Sequence, residues 1–313
     1  TDADLETLSR ELEELLESWD DRLRKLVFKH YKPLANAAPS ARYLATTAAP
    51  QEIWARSGSR FPESYKGTVA PEIALLDTGL VEKLDESGGL RVALVVLGEG
   101  DQRHTSLRLV SRKELLLNDV VPVLHRMALR TTSRLAERLV GAGPDVYITG
   151  FEVTGADGRK IEDEASLDRL AAIVQRALGG HLLDDRLLGL GVLAGLGWRQ
   201  IDLLITYRNY FVQVFQGLSV SSVDETLLKH PAFASLLVEY FETRFSTDRA
   251  DSLAERTEKR LPPLSRRYEE MLQRLLTIDD LSGLYQRRRF DQELAQLLAA
   301  ADSGGTPLGM LVM

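Results

Sequence analysis

Apolar residues recur at helical spacing in the first part of the chain. In residues 3–31 leucines and one tryptophan return every three or four positions with Glu and Arg between them. This pattern predicts one amphipathic helix of about seven turns. Residues 37–59, rich in Ala, Ser, Thr and Pro, predict a loop that could carry a short helix, and residues 71–84 predict a second long helix. We therefore expect a helical region over residues 1–89.

The pattern changes to strand spacing in residues 90–180. Residues 90–97 and 105–110 are β-rich and flank a Gly-Glu-Gly-Asp turn, and residues 131–140 and 146–154 predict two further strands. Two helices are predicted, one over 118–129 and one over 166–178. In the first, Asn118 is a candidate N-cap and Val121, Leu124 and Met127 point inward.

The order of two strands, a helix, two strands and a helix predicts a small α+β sandwich with both helices on one face of the sheet. Its strands are short and only two helices are available to cover them, which excludes a doubly wound parallel sheet. An ACT-like regulatory fold fits this order. Such a module is expected to bind a small metabolite, such as an amino acid.

From residue 181 to 260 the spacing is helical again. A helix is predicted over 198–215, and Ser222-Val223-Asp224-Glu225 has capping-box spacing for a short helix ending at Lys229. Pro231 suits the first position of another helix, because its missing N–H has no partner there. Pro262-Pro263 predicts a boundary before a linker helix at 261–278, since proline disfavours helical geometry in the preceding residue.

The linker helix carries an apolar stripe at steps of four, three, four and three residues. This spacing is typical of a coiled-coil seam and predicts a parallel homodimer. With about two heptads the stripe is short, so an ordinary helix packed on its own domain is the alternative. The stripe consists of Leu264, Tyr268, Met271, Leu275 and Ile278.

Composition limits the function classes. The 313 residues are 44% hydrophobic and 27% charged, which is ordinary for a globular protein. A net charge of −7 disfavours a general nucleic-acid binder. The absence of cysteine excludes disulfides and thiolate metal sites and fits a reducing cytoplasm. No apolar run reaches the roughly 20 residues of a membrane span, so no membrane partner is expected.

Residues 279–290 carry the most specific motif of the chain. They read Asp279-Asp280-Leu281-Ser282-Gly283-Leu284-Tyr285-Gln286-Arg287-Arg288-Arg289-Phe290. This stretch resembles the opening of a GGDEF (diguanylate cyclase) domain, and residues 279–313 are expected to be the truncated start of one. The resemblance implies that the metal-binding carboxylates and the GGDEF sequence would lie beyond Met313, so no catalytic residue is assigned here. It also implies Mg²⁺ as the cofactor of a full-length cyclase and no cofactor for this fragment.

A second resemblance covers about residues 5–248. Its five segments resemble, in order and spacing, the regulatory region of large bacterial NAD-specific glutamate dehydrogenases. That region implies ACT-like modules and a helical motif without catalytic residues. The segments are Ser18-Trp19-Asp20-Asp21-Arg22-Leu23, Phe61-Pro62-Glu63-Ser64-Tyr65, Leu117-Asn118-Asp119-Val120-Val121-Pro122-Val123-Leu124, Gly197-Trp198-Arg199-Gln200, and Leu228-Lys229-His230-Pro231 followed by Leu236-Leu237-Val238-Glu239-Tyr240-Phe241-Glu242-Thr243-Arg244-Phe245. After Thr277 the Arg-Thr-Asn stretch of the dehydrogenases is absent.

Other chemistry-bearing residues give weak signals. The five histidines show no metal-ligand spacing, so neither catalytic nor metal residues are predicted. Gly189-Leu190-Gly191 and Gly195-Leu196-Gly197 do not follow a strand with phosphate-loop spacing, which favours packing glycines. Cofactor-binding residues stay unknown. The histidines are His30, His104, His125, His181 and His230.

Three hypotheses follow. The first is a sensory region that controls a diguanylate cyclase through residues 264–278. The second is the regulatory region of a large NAD-dependent glutamate dehydrogenase. The third is a non-catalytic scaffold with a degenerate output domain. Because the sequence begins at Thr1 and stops inside the GGDEF-like segment, a fragment of a longer protein is expected.

Overall fold

The computed structural model describes residues 17–31, 48–58, 60–98, 100, 103–141, 143–215, 217–245 and 255–278. They form two compact units that divide between Asp184 and Asp185. The first unit is mixed helix and sheet, and the described part of the second is helical. The predicted α+β class is confirmed.

Four helices precede the sheet in the described part of the first unit. They are α1 (Trp19–His30), α2 (Pro50–Ile53, continued by a π-helical turn over Trp54–Gly58), α3 (Glu63–Lys66) and α4 (Pro71–Ser87). Pro50 and Pro71 each stand in the first helical turn, where a missing N–H has no partner to lose. The long α4 packs against α1.

A four-stranded sheet follows, with every pairing antiparallel. Its strands are β1 (Arg91–Leu97), β2 (His104–Ser111), β3 (Leu129–Leu139) and β4 (Val146–Gly155), in the order β1-β2-β4-β3. Helices α5 (Leu117–Arg126) and α6 (Glu164–Leu178) alternate with the strand pairs as predicted. The prediction that this module is not a doubly wound parallel sheet is confirmed.

Helices cover both faces of this sheet. Helix α6 packs on β1, α5 packs on β3, and the two helices contact each other. Helix α4 packs on β1 and β2, and the buried Ala93, Val110 and Ile148 share a core with Leu23 and Leu84 of the preceding helices. Since successive strand residues point to opposite faces, the consecutive buried residues of β2 and β4 show that both faces are covered there, whereas β3 is buried only at its ends.

The second unit contains a short 3₁₀ turn (Arg186–Gly189) and five helices in its described part. They are α7 (Leu190–Leu193), α8 (Trp198–Val214), α9 (Val220–Lys229), α10 (Pro231–Phe245) and α11 (Leu261–Ile278), the last preceded by a π-helical turn over Arg256–Arg260. Pro231 begins α10 as predicted.

The first predicted helix is not continuous. Ser18 has extended backbone (φ −66°, ψ 155°), and its hydroxyl accepts a hydrogen bond from the Asp21 N–H at 3.2 Å. A serine in this position satisfies an otherwise free amide and starts a helix. Helix α1 therefore begins at Trp19, and the prediction of one helix running through Ser18 is wrong.

Two predicted helix N-caps are wrong. Helix α5 begins at Leu117, so Asn118 lies inside it, and the N-cap Leu116 makes no side-chain bond. Helix α9 is capped by Ser219, whose hydroxyl accepts from the Ser222 N–H at 3.1 Å, so Ser222 lies in the first turn. In both cases a good capping residue lies inside the helix, because the chain enters it earlier.

The inward face of α5 is also displaced from the prediction. Leu124 and Met127 are buried as expected, but Val121 is 37% exposed. Val120 and Val123 take the inward positions instead. The helix starts one residue earlier than predicted and contains Pro122. Its contact with β3 determines which side is buried.

Pro262 and Pro263 lie in the first turn of α11 and do not interrupt the helical backbone. Leu261, which precedes Pro262, has right-handed helical geometry (φ −69°, ψ −41°). The preceding turn is widened into a π-helix, and such turns occur where the ordinary ladder of hydrogen bonds is disturbed. Helix α11 has the bounds predicted for the linker helix, 261–278, but the chain before it is also helical, so the prolines do not separate it from a non-helical segment.

Two points concern the limits of the chain as described. The GGDEF-like segment, residues 279–313, lies outside the described residues. Within the described ranges every helix is too short or too polar to span a bilayer.

Candidate functional site

Two segments of the dehydrogenase-like pattern meet in the first unit. The Trp19 ring lies edge-on to Phe61 and Tyr65, with centroids 5.6 and 6.1 Å apart, and Phe61 and Tyr65 are 4.8 Å apart. The Trp19 Nε1–H donates to the carbonyl oxygen of Val69 at 2.8 Å. This aromatic cluster joins α1 to α3 and so has a packing role.

A buried ion pair connects α4 to the sheet. The Arg108 Nε donates to Asp77 Oδ1 at 3.0 Å, its Nη2 donates to Oδ2 of the same carboxylate, and the Tyr65 hydroxyl also donates to Oδ2. The side chains of Arg108 and Asp77 are 5% and 0% exposed. Burial lowers the pKa of Arg108, but the Asp77 carboxylate outweighs this effect and raises the pKa above its usual value. The guanidinium thus stays charged.

Burial also raises the pKa of the Tyr65 hydroxyl well above 10.0, and the negative charge of Asp77 adds to this effect. Tyr65 therefore remains a neutral donor. A catalytic base would need a pKa near the working pH and access to a substrate. The Tyr65–Asp77–Arg108 triad lacks this access, because its members are satisfied by one another and closed to solvent.

The second unit contains a comparable group around Arg208 of α8. Its Nη1 donates to Asp185 Oδ1 at 2.8 Å and to Asp224 Oδ1 at 2.6 Å, and its Nη2 donates to Asp185 Oδ2 at 2.7 Å. Asp185 also accepts from the Leu187 N–H at 2.9 Å and caps the 3₁₀ turn. Arg208 therefore ties the start of the unit to α8 and α9.

Burial raises the pKa of Asp224, and the Arg208 guanidinium opposes that shift. For Arg208 itself burial lowers the pKa, while Asp185 and Asp224 raise it by more. The cluster has one cation and two carboxylates, all mostly buried. Such a group fixes helix positions and leaves no open ligand position.

The Gly197-Trp198-Arg199-Gln200 segment lies at the start of α8. The Gly197 N–H donates to Gln200 Oε1 at 2.9 Å at the start of α8, and the Gln200 Nε2 donates to Glu242 Oε1 of α10 at 2.9 Å. Gly195 has φ +66°, a conformation that favours glycine. These glycines shape a helix start, which agrees with their predicted packing role.

The five histidines lie on separate elements, from the end of α1 to the C-cap of α9. Within the described ranges, no group of three or more His, Cys, Asp or Glu residues could hold a metal ion. Sequence reasoning missed Asp77, Arg108, Arg208 and Asp224 as a structural set. A signal was present in Arg108, a charged residue between two leucines of a strand.

The predicted seam on α11 has contacts within its own chain. Leu264 is 6% exposed, and the rings of Tyr268 and Phe233 of α10 lie 5.5 Å apart. Burial raises the pKa of Tyr268 to about 12. The first half of the seam therefore packs on α10, and the homodimer stays a prediction.

Comparison with known proteins gives a family match that lies almost entirely in the second unit. Residues 182–247 match the family described as glutamate dehydrogenase, helical motif 3. The chain is 26% identical over 194 residues to the NAD-specific glutamate dehydrogenase of Halomonas elongata, covering 62% of this chain and 12% of that protein. It is 28% identical over 204 residues to the Pseudomonas aeruginosa enzyme (64% and 13%) and 28% identical over 195 residues to the Mycobacterium tuberculosis enzyme (59% and 12%). The matched part is thus a small fraction of each relative's length.

Proposed function

We propose that this chain is a non-catalytic regulatory region of the kind found in large NAD-specific glutamate dehydrogenases. The match of residues 182–247 to the helical motif carries the proposal. The similarity to three dehydrogenases over 59–64% of the chain extends it beyond that motif. The buried networks around Asp77 and Arg208 support a structural role, because their polar groups are used within the protein.

Regulation would act through helix packing. Helix α11 contacts α10 through Leu264 and Tyr268 and leads toward the chain that follows. A ligand that favours one packing of α11 over another would change the state of whatever domain follows it. In the α+β module we expect an amino acid or a similar small metabolite. Calorimetry across the amino acids tests this part, and no heat of binding for any of them would count against it.

The second candidate is the sensory region of a diguanylate cyclase, a role that would need Mg²⁺ in the complete protein. Its support is the GGDEF-like sequence of residues 279–290, which lies outside the described residues. The glutamate dehydrogenase relatives support the first candidate more directly, because they match the larger part of the chain. A scaffold with a degenerate output domain is the third possibility.

An assay of the polypeptide from the complete reading frame separates the candidates. It should be incubated with glutamate and NAD, and separately with GTP and Mg²⁺. We expect NADH formation in the first reaction. Cyclic di-GMP without NADH would replace the first candidate with the second, and neither product under any ligand would favour the scaffold.

A further inference from the structure

An open cavity of about 460 Å³ lies in the second unit, where α10, the π-helical turn and the start of α11 meet. Glu239 and Thr243 contribute one wall from successive turns of α10. The other walls are lined by Lys259, Arg260, Pro263, Leu264 and Arg267.

The charge of this lining departs from that of the chain. The whole sequence has 39 basic and 46 acidic residues, whereas the cavity has three basic side chains and one carboxylate. Lys259 and Arg260 are adjacent in the π-helical turn, and Arg267 approaches from α11. Residues 259, 263 and 267 are four positions apart, as are 260 and 264, so one face of this continuous helical stretch carries all three cations.

Two of these cations, Lys259 and Arg267, have weak internal partners. Arg267 lies 3.4 Å from Glu239, with side chains 59% and 51% exposed, and Lys259 lies 3.4 Å from Glu255, with side chains 72% and 47% exposed. Exposed pairs of this kind contribute about 0–1 kcal/mol. An anion that contacts several cations at once can therefore displace them.

We propose that this cavity binds a phosphate-bearing small molecule of nucleotide size. Arginine presents paired N–H donors that match phosphate oxygens, and lysine adds a mobile point charge. A single carboxylate would leave part of this charge unmatched, whereas a di- or triphosphate would contact all three side chains. Pro263 and Leu264 supply an apolar wall for the rest of the ligand, and the volume lies within the range of small-molecule sites.

The position of the cavity gives binding a route to the rest of the protein. A ligand in the cavity would contact both α10 and α11, next to the side chain of Leu264. The inference does not depend on the dehydrogenase proposal, because the cavity would bind a phosphate-bearing ligand whatever domain follows α11.

Isothermal titration calorimetry on the 313-residue chain tests the site with ATP, tripolyphosphate and citrate. We expect ATP and tripolyphosphate to bind, with an affinity that falls as salt rises, and citrate to bind at least about tenfold more weakly. Absence of binding by both phosphate compounds at millimolar concentration overturns the proposal. Equal binding of citrate does so as well.

Three variants locate the binding. Lys259→Gln and Arg267→Gln should each weaken ATP binding about tenfold, since each removes a charge-assisted contact. Arg266→Gln is the matched control, because this exposed arginine on the same helix does not line the cavity. Thermal unfolding should be unchanged in all three, as the replaced side chains are exposed. An equal loss of affinity in Arg266→Gln would show non-specific charge attraction and overturn the site.

Glu239→Gln should change the ATP affinity in the opposite direction. Removing the carboxylate that holds Arg267 should tighten ATP binding by roughly two- to fivefold, in keeping with the strength of an exposed pair. The exposed Glu269→Gln on α11 serves as its control and should leave the affinity unchanged. Weaker binding in Glu239→Gln would contradict the proposed arrangement of charges.

Discussion

A Cβ atom at Gly150 on β4 would lie 2.5 Å from Nη1 of Arg108 on the neighbouring strand β2. The two residues are cross-strand partners. Because Gly150 has no side chain, the Arg108 guanidinium has room to lie across the sheet toward Asp77, with which it forms the buried ion pair. The buried charge of Arg108 therefore requires a glycine at position 150.

Gly150→Ala should destabilise the first unit by about 1–3 kcal/mol, because the new methyl group overlaps a side chain held in place by Asp77. Urea unfolding measures the loss. Gly67→Ala is the control, since its nearest neighbouring atom is 3.4 Å from the added carbon and its φ of −72° suits alanine. A similar loss in both variants would mean that overlap with Arg108 is not the cause.

The Tyr65 hydroxyl should make stability depend on pH in alkaline solution. Burial raises its pKa well above the value of 10.0 expected in the unfolded chain. Above pH 10 the unfolded state ionises while the folded state keeps its proton, so stability is complete below that pH and falls as pH rises further. Tyr65→Phe should remove part of this fall.

The measurement is the free energy of unfolding in urea between neutral and strongly alkaline pH. At neutral pH Tyr65→Phe should cost about 1–3 kcal/mol, since Asp77 loses a buried hydrogen-bond donor. The exposed Tyr210→Phe provides the comparison. The same alkaline slope in wild type and Tyr65→Phe would contradict the described burial.

Arg208→Met should destabilise the second unit by about 3–5 kcal/mol at neutral pH, because it leaves buried Asp224 without its cation. Burial already raises the pKa of Asp224, and loss of Arg208 should raise it further. A raised folded-state pKa means that stability is retained at low pH and lost as pH rises through that pKa. The cost of the substitution should thus shrink on acidification.

Hydrogen exchange of peptides from α8 and α9, measured at two pH values, tests this expectation. The exposed Arg266→Gln variant should exchange like the wild type at both. A cost for Arg208→Met that grows as pH falls would contradict the assigned role of Asp224.

Sequence patterns predicted the sheet because its strands alternate and its turns contain glycine, as at residues 155–158. They did not predict the pairing of Arg108 with Asp77, which lies 31 residues earlier and on a different element. Glycine within a strand often marks a close approach of another group, and Gly150 was such a signal. The buried ion pair itself depends on tertiary contacts that no local spacing encodes.

The helix caps show the same limit. Ser18 and Ser219 each receive an amide N–H from three residues ahead, yet the chain also offers Asn118 and Ser222 at plausible spacing. Which candidate caps a helix depends on where the neighbouring elements let the backbone enter it. Likewise, the apolar stripe on α11 predicted burial of Leu264 but not its partner on α10.

The seam makes a further prediction about oligomeric state. Met271→Lys together with Leu275→Lys should convert a dimer to a monomer in sedimentation equilibrium if α11 pairs with a second copy. Leu264→Lys should instead destabilise the second unit, because Leu264 is buried within its own chain. An unchanged mass in the double variant would show that the stripe is not an interface.

The most direct test of the central claim is glutamate-dependent NADH formation, measured side by side for the 313-residue chain and for the product of the complete reading frame. The account predicts NADH from the complete protein alone, because the part of this chain that matches the dehydrogenases covers only 12–13% of their length. NADH from the 313-residue chain, or cyclic di-GMP in place of NADH from the complete protein, would contradict it.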